Sequence, residues 1–316
     1  MKKIMTWILS VVLILVIAVF VAGNYMVNFA LLPEPHGNDI EAHKAKVESF
    51  YPGILEWYDS LKVEGVLRDT VITNRDGFKL HGIYIHAADP AAATGSAITI
   101  HGYTDNHYGF LYLARMYRED LGFNVLMPDL FYHGYSEGTN VQMGWFDRLD
   151  VKQWLSVVDS LWPGKGIVVH GVSMGGATTM MLSGEPDLPE NVLAFVDDCG
   201  YSTVWNQFSH NLKDMFGLPE FPVLYAANIV CKLRYGWSFK EASCLKQLAK
   251  CDRPMLFIHG DKDDFVPFAD VYLNYDAKVN GYKELWVAED TGHARAYSNH
   301  PEEYTEKVRN FLSNVF

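Results

Sequence analysis

The sequence is poor in cysteine and has no excess of basic residues. Its 316 residues include four cysteines, Cys199, Cys231, Cys244 and Cys251, and none of them forms a C-x-x-C pair. Because the histidines are also scattered, the spacings typical of zinc sites are absent, and we expect neither a metal nor another cofactor. Acidic residues outnumber basic ones by 38 to 26, which argues against a nucleic-acid partner.

Internal repeats and low-complexity tracts are also absent from the sequence. Aromatic residues make up 14% of the chain, which is too many for a disordered protein. The length suits one large α/β domain or two small ones. Composition leaves the oligomeric state open.

Residues 4–22 form a long apolar run, interrupted by one threonine and one serine. As a helix this run would be about 28 Å long, close to the hydrocarbon thickness of a bilayer. Lys2 and Lys3 precede the run and favour a cytoplasmic N-terminus, with the remainder of the chain outside the cytoplasm. We therefore predict an uncleaved transmembrane signal anchor over residues 1–24. A cleaved signal peptide is the alternative, which the length of the run and the lack of an A-x-A site disfavour.

The rest of the chain has the pattern of an α/β protein. Residues 25–67 favour a partly helical connector, and residues 71–73 and 80–85 alternate around Asp76-Gly77 as in an antiparallel hairpin. From residue 97 onward, short β-branched runs alternate with helical patterns. We expect strands at 97–100, 125–127, 167–169, 193–196, 255–258 and 285–287. The fold class predicted is α/β, with a doubly wound, mostly parallel sheet over residues 68–202 and 251–316 and an antiparallel hairpin at its start.

A segment at residues 203–250 interrupts this alternation, and we call it the lid. It has helical spacing and no strand pattern, and it contains Phe216 and Phe221. Its apolar stripe fits either ordinary core or a helical lid whose inner face lines a ligand site, because the insertion follows a strand of the parallel sheet. On the second interpretation, Phe216 and Phe221 are the candidate substrate-lining residues. A disulfide among the cysteines of this region is possible outside the cytoplasm, with buried thiols as the alternative.

The strongest motif is Gly171-Val172-Ser173-Met174-Gly175, which lies between a buried apolar run and a helical pattern. A G-x-S-x-G sequence on a strand-to-helix turn is typical of a nucleophile elbow, which exposes the serine hydroxyl above the sheet. The motif alone is weak, because a glycine-rich turn can carry a bystander serine. Ser173 is nevertheless the candidate nucleophile. The backbone N–H groups of Met174 and of Tyr103, in the loop after the strand at 97–100, are candidates for an oxyanion hole.

A nucleophilic serine needs a base and an acid to orient that base. His293 is the candidate base, since it lies in the loop before the final helix. Asp263 is the favoured acid, and its neighbour Asp264 is a competitor. Asp197 and Asp198, at the end of the preceding strand, form a third option. The order Ser173, Asp263, His293 along the chain is the order that accompanies this kind of elbow.

Five motifs follow one another along the chain: His101-Gly102, Pro128-Asp129 with His133-Gly134-Tyr135-Ser136-Glu137-Gly138, the Ser173 elbow, His259-Gly260 with Asp263 and Val266-Pro267, and Gly292-His293. With these motifs in this order, the chain from about residue 68 to its end resembles the α/β-hydrolase superfamily, in its serine esterase and aminopeptidase-like branch. The branch often has Arg-Gly where this chain has Phe131-Tyr132, and an elbow with Asp or Cys in place of Ser173 would indicate other chemistry.

The resemblance implies a serine hydrolase. The predicted anchor lies outside the resemblance, and together the two indicate a membrane-anchored enzyme whose catalytic domain lies outside the cytoplasm. We expect a small-molecule carboxylic ester as substrate, with a medium acyl or aryl group, cleaved through an acyl-enzyme by Ser173, His293 and Asp263. A peptidase or amidase with the same residues is the alternative, with Asp214, Glu220 and Glu241 as candidates to bind an amino terminus. A non-catalytic binding protein on this fold is less favoured, because binding alone does not need all three groups.

Overall fold

The computed structural model describes residues 2–316, which form an eight-stranded sheet, helices on both of its faces, and one long N-terminal helix. The strands are β1 (Leu67–Thr73), β2 (Lys79–Ile85), β3 (Ser96–Ile100), β4 (Asn124–Pro128), β5 (Ile167–Val172), β6 (Val192–Asp198), β7 (Met255–Gly260) and β8 (Lys283–Ala288). Their order across the sheet is β1-β2-β4-β3-β5-β6-β7-β8. Strands β1, β2 and β4 pair antiparallel, and all later pairs are parallel. The predicted fold class is therefore confirmed.

The helices before and within the sheet are α1 (Lys2–Leu31), α2 (Ile40–Phe50), α3 (Ile54–Val63), α4 (Leu111–Arg115), α5 (Asp147–Leu161) and α6 (Met174–Ser183). A 3-10 turn (His107–Phe110) and a π turn (Met116–Asp120) flank α4. The later helices are α7 (Val204–Phe216), α8 (Val223–Tyr235), α9 (Cys244–Leu248), α10 (Ala269–Ala277), α11 (Ala296–Asn299) and α12 (Pro301–Ser313).

The central strands explain why the sheet has two covered faces. Every residue of β3, β4, β5 and β7 is buried. Strands of this kind need helices on both sides, since neither face of the strand offers polar side chains to water. The carboxyl ends of the parallel strands meet at one edge of the sheet, and the loops at that edge carry the candidate site residues.

Helix α1 is longer than the predicted membrane segment and continues through position 24 to Leu31. It is the one helix within residues 2–316 that is long and apolar enough to cross a membrane. Its apolar side chains are largely exposed up to Val21, whereas Gly23, Val27 and Leu31 are buried against the rest of the protein. The helix therefore has a projecting half and a packed half.

The lid contains α7, α8 and α9, and α7 begins with Thr203 as an N-cap that accepts from the Asn206 N–H. All four cysteines are buried free thiols. No disulfide links the cysteines of the lid region, which agrees with the alternative of buried thiols.

Candidate active site

Ser173 lies at a sharp turn between β5 and α6. Its backbone has φ 58° and ψ −119°, a strained conformation that residues other than glycine rarely adopt. The glycines of the motif are required by close backbone contacts. A Cβ on Gly171 would lie 2.0 Å from the Gly175 carbonyl oxygen, and a Cβ on Gly175 would lie 2.1 Å from the Ile100 carbonyl oxygen. The turn can therefore form only with glycine at both positions.

Three side chains from three loops form one hydrogen-bonded chain at the carboxyl edge of the sheet. The Ser173 Oγ lies 2.8 Å from the His293 Nε2, and the His293 Nδ1 lies 2.7 Å from the Asp263 Oδ2. Ser173 follows β5, Asp263 follows β7 and His293 follows β8. In this geometry a neutral imidazole donates from Nδ1 to the carboxylate and accepts the serine hydroxyl proton at Nε2.

The Asp263 carboxylate is held in place on both oxygens. Its Oδ1 accepts the backbone N–H groups of Phe265 and Val266 at 3.0 and 2.9 Å. Its Oδ2 lies 3.0 Å from the Nε2 of His259, a fully buried side chain. Burial by itself would raise the pKa of Asp263, but the hydrogen bonds and charges of His259 and His293 outweigh it and hold this pKa well below its usual range. Asp263 is therefore ionised at neutral pH.

The structure does not bring the competing carboxylates to His293. Asp264 is exposed and contributes its backbone carbonyl to His210. Asp198 accepts the Tyr304 hydroxyl at 3.0 Å, and Asp197 accepts the Gly200 N–H at 3.0 Å. Burial raises the pKa of Asp197 to about 8 and that of Asp198 to about 6. Asp197 is therefore largely protonated at neutral pH, and the side chain of Asp198 is directed to Tyr304 and not to His293.

The two amides expected to form an oxyanion hole lie beside Ser173. Met174 is the first residue of α6, and Tyr103 follows Gly102, where a Cβ would lie 3.5 Å from the Ser173 Cβ. Within residues 2–316, neither the Tyr103 nor the Met174 N–H has a protein acceptor. Two free backbone donors beside a serine hydroxyl are suited to a developing oxyanion.

The loop that carries Tyr103 is supported by a second buried histidine. The His133 Nε2 accepts the Thr104 N–H at 3.2 Å, and its Nδ1 donates to the Phe131 carbonyl at 2.9 Å. Burial lowers the pKa of His133 to about 3, so the ring is neutral and its Nε2 is free to accept. The His133-Gly134 motif therefore stabilises the loop beside Ser173, although Phe131-Tyr132 precedes it.

A mainly apolar cavity of about 450 Å³ opens onto Ser173. Its size is within the range of small-molecule sites. Tyr103, Ser173 and Met174 line it, and Phe216 is one of the lid residues that line it. Phe221, the other phenylalanine predicted to line the site, is not among the lining residues. It is 71% exposed on the lid surface, where its ring packs on Tyr225.

Helix α1 forms part of the same cavity. Met26, Phe29 and Ala30 line it, and the chain just after the helix contributes Glu34. The Phe29 ring packs edge-on against Phe216 at 5.4 Å. The packed half of the N-terminal helix is thus a wall of the candidate site.

Comparison with known proteins identifies the family. A model of the alpha/beta hydrolase fold matches residues 98–222, from β3 into the lid. An uncharacterised protein of Bacillus subtilis, YqkD, is 30% identical over 246 residues, which cover 78% of this chain and 79% of that protein. The chain belongs to the α/β-hydrolase fold family.

Solved structures of other α/β hydrolases are similar to this one. An esterase of Pyrococcus furiosus superposes with a TM-score of 0.63 at 26% identity, over 79% of this chain and 92% of the esterase. An acylaminoacyl peptidase of Pyrococcus horikoshii superposes with a TM-score of 0.58 at 18% identity, over 81% of this chain and 43% of the peptidase. The second likeness concerns the fold alone.

The sequence pattern does not predict two features of this α/β hydrolase. It presents His259 only as part of a His-Gly motif, because the buried contact of His259 with Asp263 depends on the turn after β7. The contribution of α1 to the cavity had no local signal, because residues 4–22 are uniformly apolar. The spacing of Gly23, Val27 and Leu31 is the one pattern that indicates a packed face.

Proposed function

We propose that this α/β hydrolase is a serine hydrolase that cleaves a carboxylic ester with a medium acyl or aryl group. The observation that carries the proposal is the hydrogen-bonded chain from Ser173 through His293 to Asp263, placed beneath an apolar cavity. The similarity to an esterase supports the same reaction class.

The geometry suits an acyl-enzyme mechanism. Ser173 attacks the acyl carbon as His293 accepts its proton, and Asp263 keeps the His293 tautomer and balances the imidazolium charge. The amides of Tyr103 and Met174 hold the oxyanion. His293 then protonates the leaving alcohol, and a water activated by His293 hydrolyses the acyl-enzyme to the free acid.

An amidase or peptidase is the second candidate, with the fold of an acylaminoacyl peptidase as its support. Within the described part of the chain, residues 2–316, Glu34 is the one carboxylate in the cavity lining, whereas Asp214, Glu220 and Glu241 are not part of it. A panel of p-nitrophenyl esters of graded chain length and aminoacyl p-nitroanilides distinguishes the two. We expect turnover of the esters, with an optimum at medium chain length, and turnover of the anilides alone would overturn the proposal.

Phe216→Ala is expected to lower kcat/KM mainly for longer acyl esters, because it removes an apolar wall of the cavity. Burying a phenylalanine against substrate is worth about 1.5–3 kcal/mol, or roughly ten- to a hundredfold in kcat/KM. Acetyl ester hydrolysis should change little, since an acetyl group has little apolar surface to bury against this side chain. Phe221→Ala is the matched control and should resemble wild type at every chain length in solution. A uniform loss at Phe216 with a lower Tm would assign this side chain to the core only.

We further propose that α1 is an uncleaved anchor and that the catalytic domain lies outside the cytoplasm. The exposed apolar half of α1 and the lysine pair before it support this orientation. The full-length protein should stay in the membrane pellet after carbonate extraction and be digested by protease added outside intact spheroplasts. A processed protein, free in the extracytoplasmic fraction, would replace the anchor with a cleaved signal peptide.

A further inference from the structure

Helix α1 joins the proposed bilayer segment to the wall of the active-site cavity without a break. A Cβ on Gly23 would lie 2.8 Å from both the Ala226 Cβ and the Ala227 nitrogen, so α1 and α8 touch at their backbones. The Arg234 Nη1 donates to the Oδ1 atoms of Asn24 and Asn28 at 2.9 and 2.6 Å. The packed half of α1 is therefore fixed to the lid.

The length of the helix places the cavity close to the bilayer surface. A helix rises about 1.5 Å per residue, so Met26 and Ala30 lie about 6 and 12 Å beyond Ala22, where the apolar run ends. The headgroup layer extends roughly 5–8 Å beyond the hydrocarbon on each side. The Ala30 carbonyl also accepts the Tyr103 hydroxyl at 2.9 Å, which joins α1 directly to the loop beside Ser173. The cavity wall thus begins within the headgroup layer.

The lid has exposed apolar side chains on the bilayer side of this contact. Helices α1 and α8 run in the same direction. Gly23 on α1 packs against Ala226 near the start of α8, and Asn28, further along α1, accepts from Arg234 near the end of α8. The chain that precedes α8 is therefore the part of the lid nearest the bilayer. Leu218 and Phe221 in that part are 37% and 71% exposed. Exposed apolar groups beside a membrane helix are suited to contact with lipid.

The lining of the cavity indicates the chemistry of the ligand. At roughly 30 Å³ per water-sized group, 450 Å³ holds about fifteen such groups, the size of a medium acyl chain. Among residues 2–316, no lysine or arginine lines the cavity, and Glu34 is its one charged residue. A lining with a single carboxylate and no cation suits a neutral hydroxyl group better than a phosphate.

We propose that the substrate is a monoacylglycerol taken from the membrane in which α1 is anchored. This proposal rests on the proposed ester hydrolysis. The Ser173 Oγ forms an ester with the acyl carbon, the bond from that carbon to the glycerol oxygen breaks, and His293 returns the proton to glycerol. Water then attacks the acyl-enzyme and releases the fatty acid, with Ser173 regaining its proton through His293.

The test uses the full-length protein reconstituted in phosphatidylcholine vesicles, with fatty acid release from 1-lauroylglycerol as the readout. 1-Lauroyl-lysophosphatidylglycerol, with the same chain and an anionic headgroup, is the comparison lipid, and p-nitrophenyl butyrate is the soluble ester. We expect 1-lauroylglycerol to be hydrolysed at least tenfold faster than the anionic lipid. Equal rates for the two lipids would contradict the proposal that the site selects a neutral headgroup. If p-nitrophenyl butyrate is hydrolysed but neither lipid is, the monoacylglycerol proposal is wrong and the proposed ester hydrolysis stands. If none of the three substrates is hydrolysed, the proposed function is wrong.

Two matched pairs of variants test the placement at the membrane. Phe221→Asp should lower 1-lauroylglycerol hydrolysis about tenfold and leave p-nitrophenyl butyrate hydrolysis unchanged. Val279→Asp is the control and should leave both rates unchanged. Val279 is also 71% exposed, but it lies just before β8, at the amino end of the parallel strands and away from the carboxyl edge that carries Ser173. Phe29→Ala in the cavity wall should lower kcat/KM for 1-lauroylglycerol about tenfold, and Tyr25→Ala, one turn earlier on α1 and outside the lining, should not. If Phe221→Asp hydrolyses 1-lauroylglycerol as fast as the wild type does, the proposal that the substrate is taken from the bilayer is wrong.

Discussion

Ser173→Ala is expected to lower kcat for a p-nitrophenyl ester by about a million-fold, the loss seen when the nucleophile of such a triad is removed. The reason is that, among residues 2–316, the Ser173 Oγ is the hydroxyl that contacts the His293 Nε2, at 2.8 Å. The measurement is steady-state hydrolysis of p-nitrophenyl butyrate by purified protein, with circular dichroism as the check on folding.

Ser183→Ala is the matched control for that loss. Ser183 lies on α6, the helix that begins after Ser173, and its hydroxyl donates to the Met180 carbonyl. This variant should keep activity within a few-fold of wild type. A Ser173→Ala protein that retains more than about 1% of the wild-type kcat, with contaminating esterases excluded, would contradict the nucleophilic role.

Asp263→Asn is expected to lower kcat by about four orders of magnitude, because an amide in this place favours the wrong tautomer of His293. The Asp263 Oδ2 receives the His293 Nδ1–H at 2.7 Å, and the backbone N–H groups of Phe265 and Val266 fix the other oxygen. The same kinetic assay serves here, and circular dichroism reports any loss of the turn after β7.

The neighbouring carboxylates provide the controls for Asp263. Asp264→Asn should have little effect, because this side chain is exposed and has no contact with His293. Asp198→Asn should cost far less than Asp263→Asn, since Asp198 accepts the Tyr304 hydroxyl whereas the His293 Nδ1 contacts Asp263. A large loss at Asp264 with Asp263 near wild type would reverse the assignment.

The sheet and the elbow could be predicted because their signals are local. Ile167, Val168 and Val169 must lie in a strand buried on both faces, and the glycines at 171 and 175 permit the turn that follows. Asp263 and Asp264 are adjacent, and local pattern alone separates them poorly. The turn after β7 decides between them, since it buries one side chain and exposes the other.

The walls of the cavity depend on contacts between distant parts of the chain. Gly23 packs on Ala226, and nothing near either residue in the sequence indicates this contact. The sequence pattern predicts both Phe216 and Phe221 as lining residues, because both lie in an apolar stretch with helical spacing. Gly217, at φ 64°, ends α7 directly after Phe216, so Phe221 falls in the next connection and on the surface.

The most direct test of the central claim is covalent labelling by a fluorophosphonate, read by mass spectrometry. We predict that the wild-type protein gains the mass of one phosphonyl group, that peptide mapping places this group on Ser173, and that Ser173→Ala gains none. Labelling of another serine, or no labelling of a folded wild-type protein, would contradict the assignment of Ser173 as the nucleophile of this hydrolase.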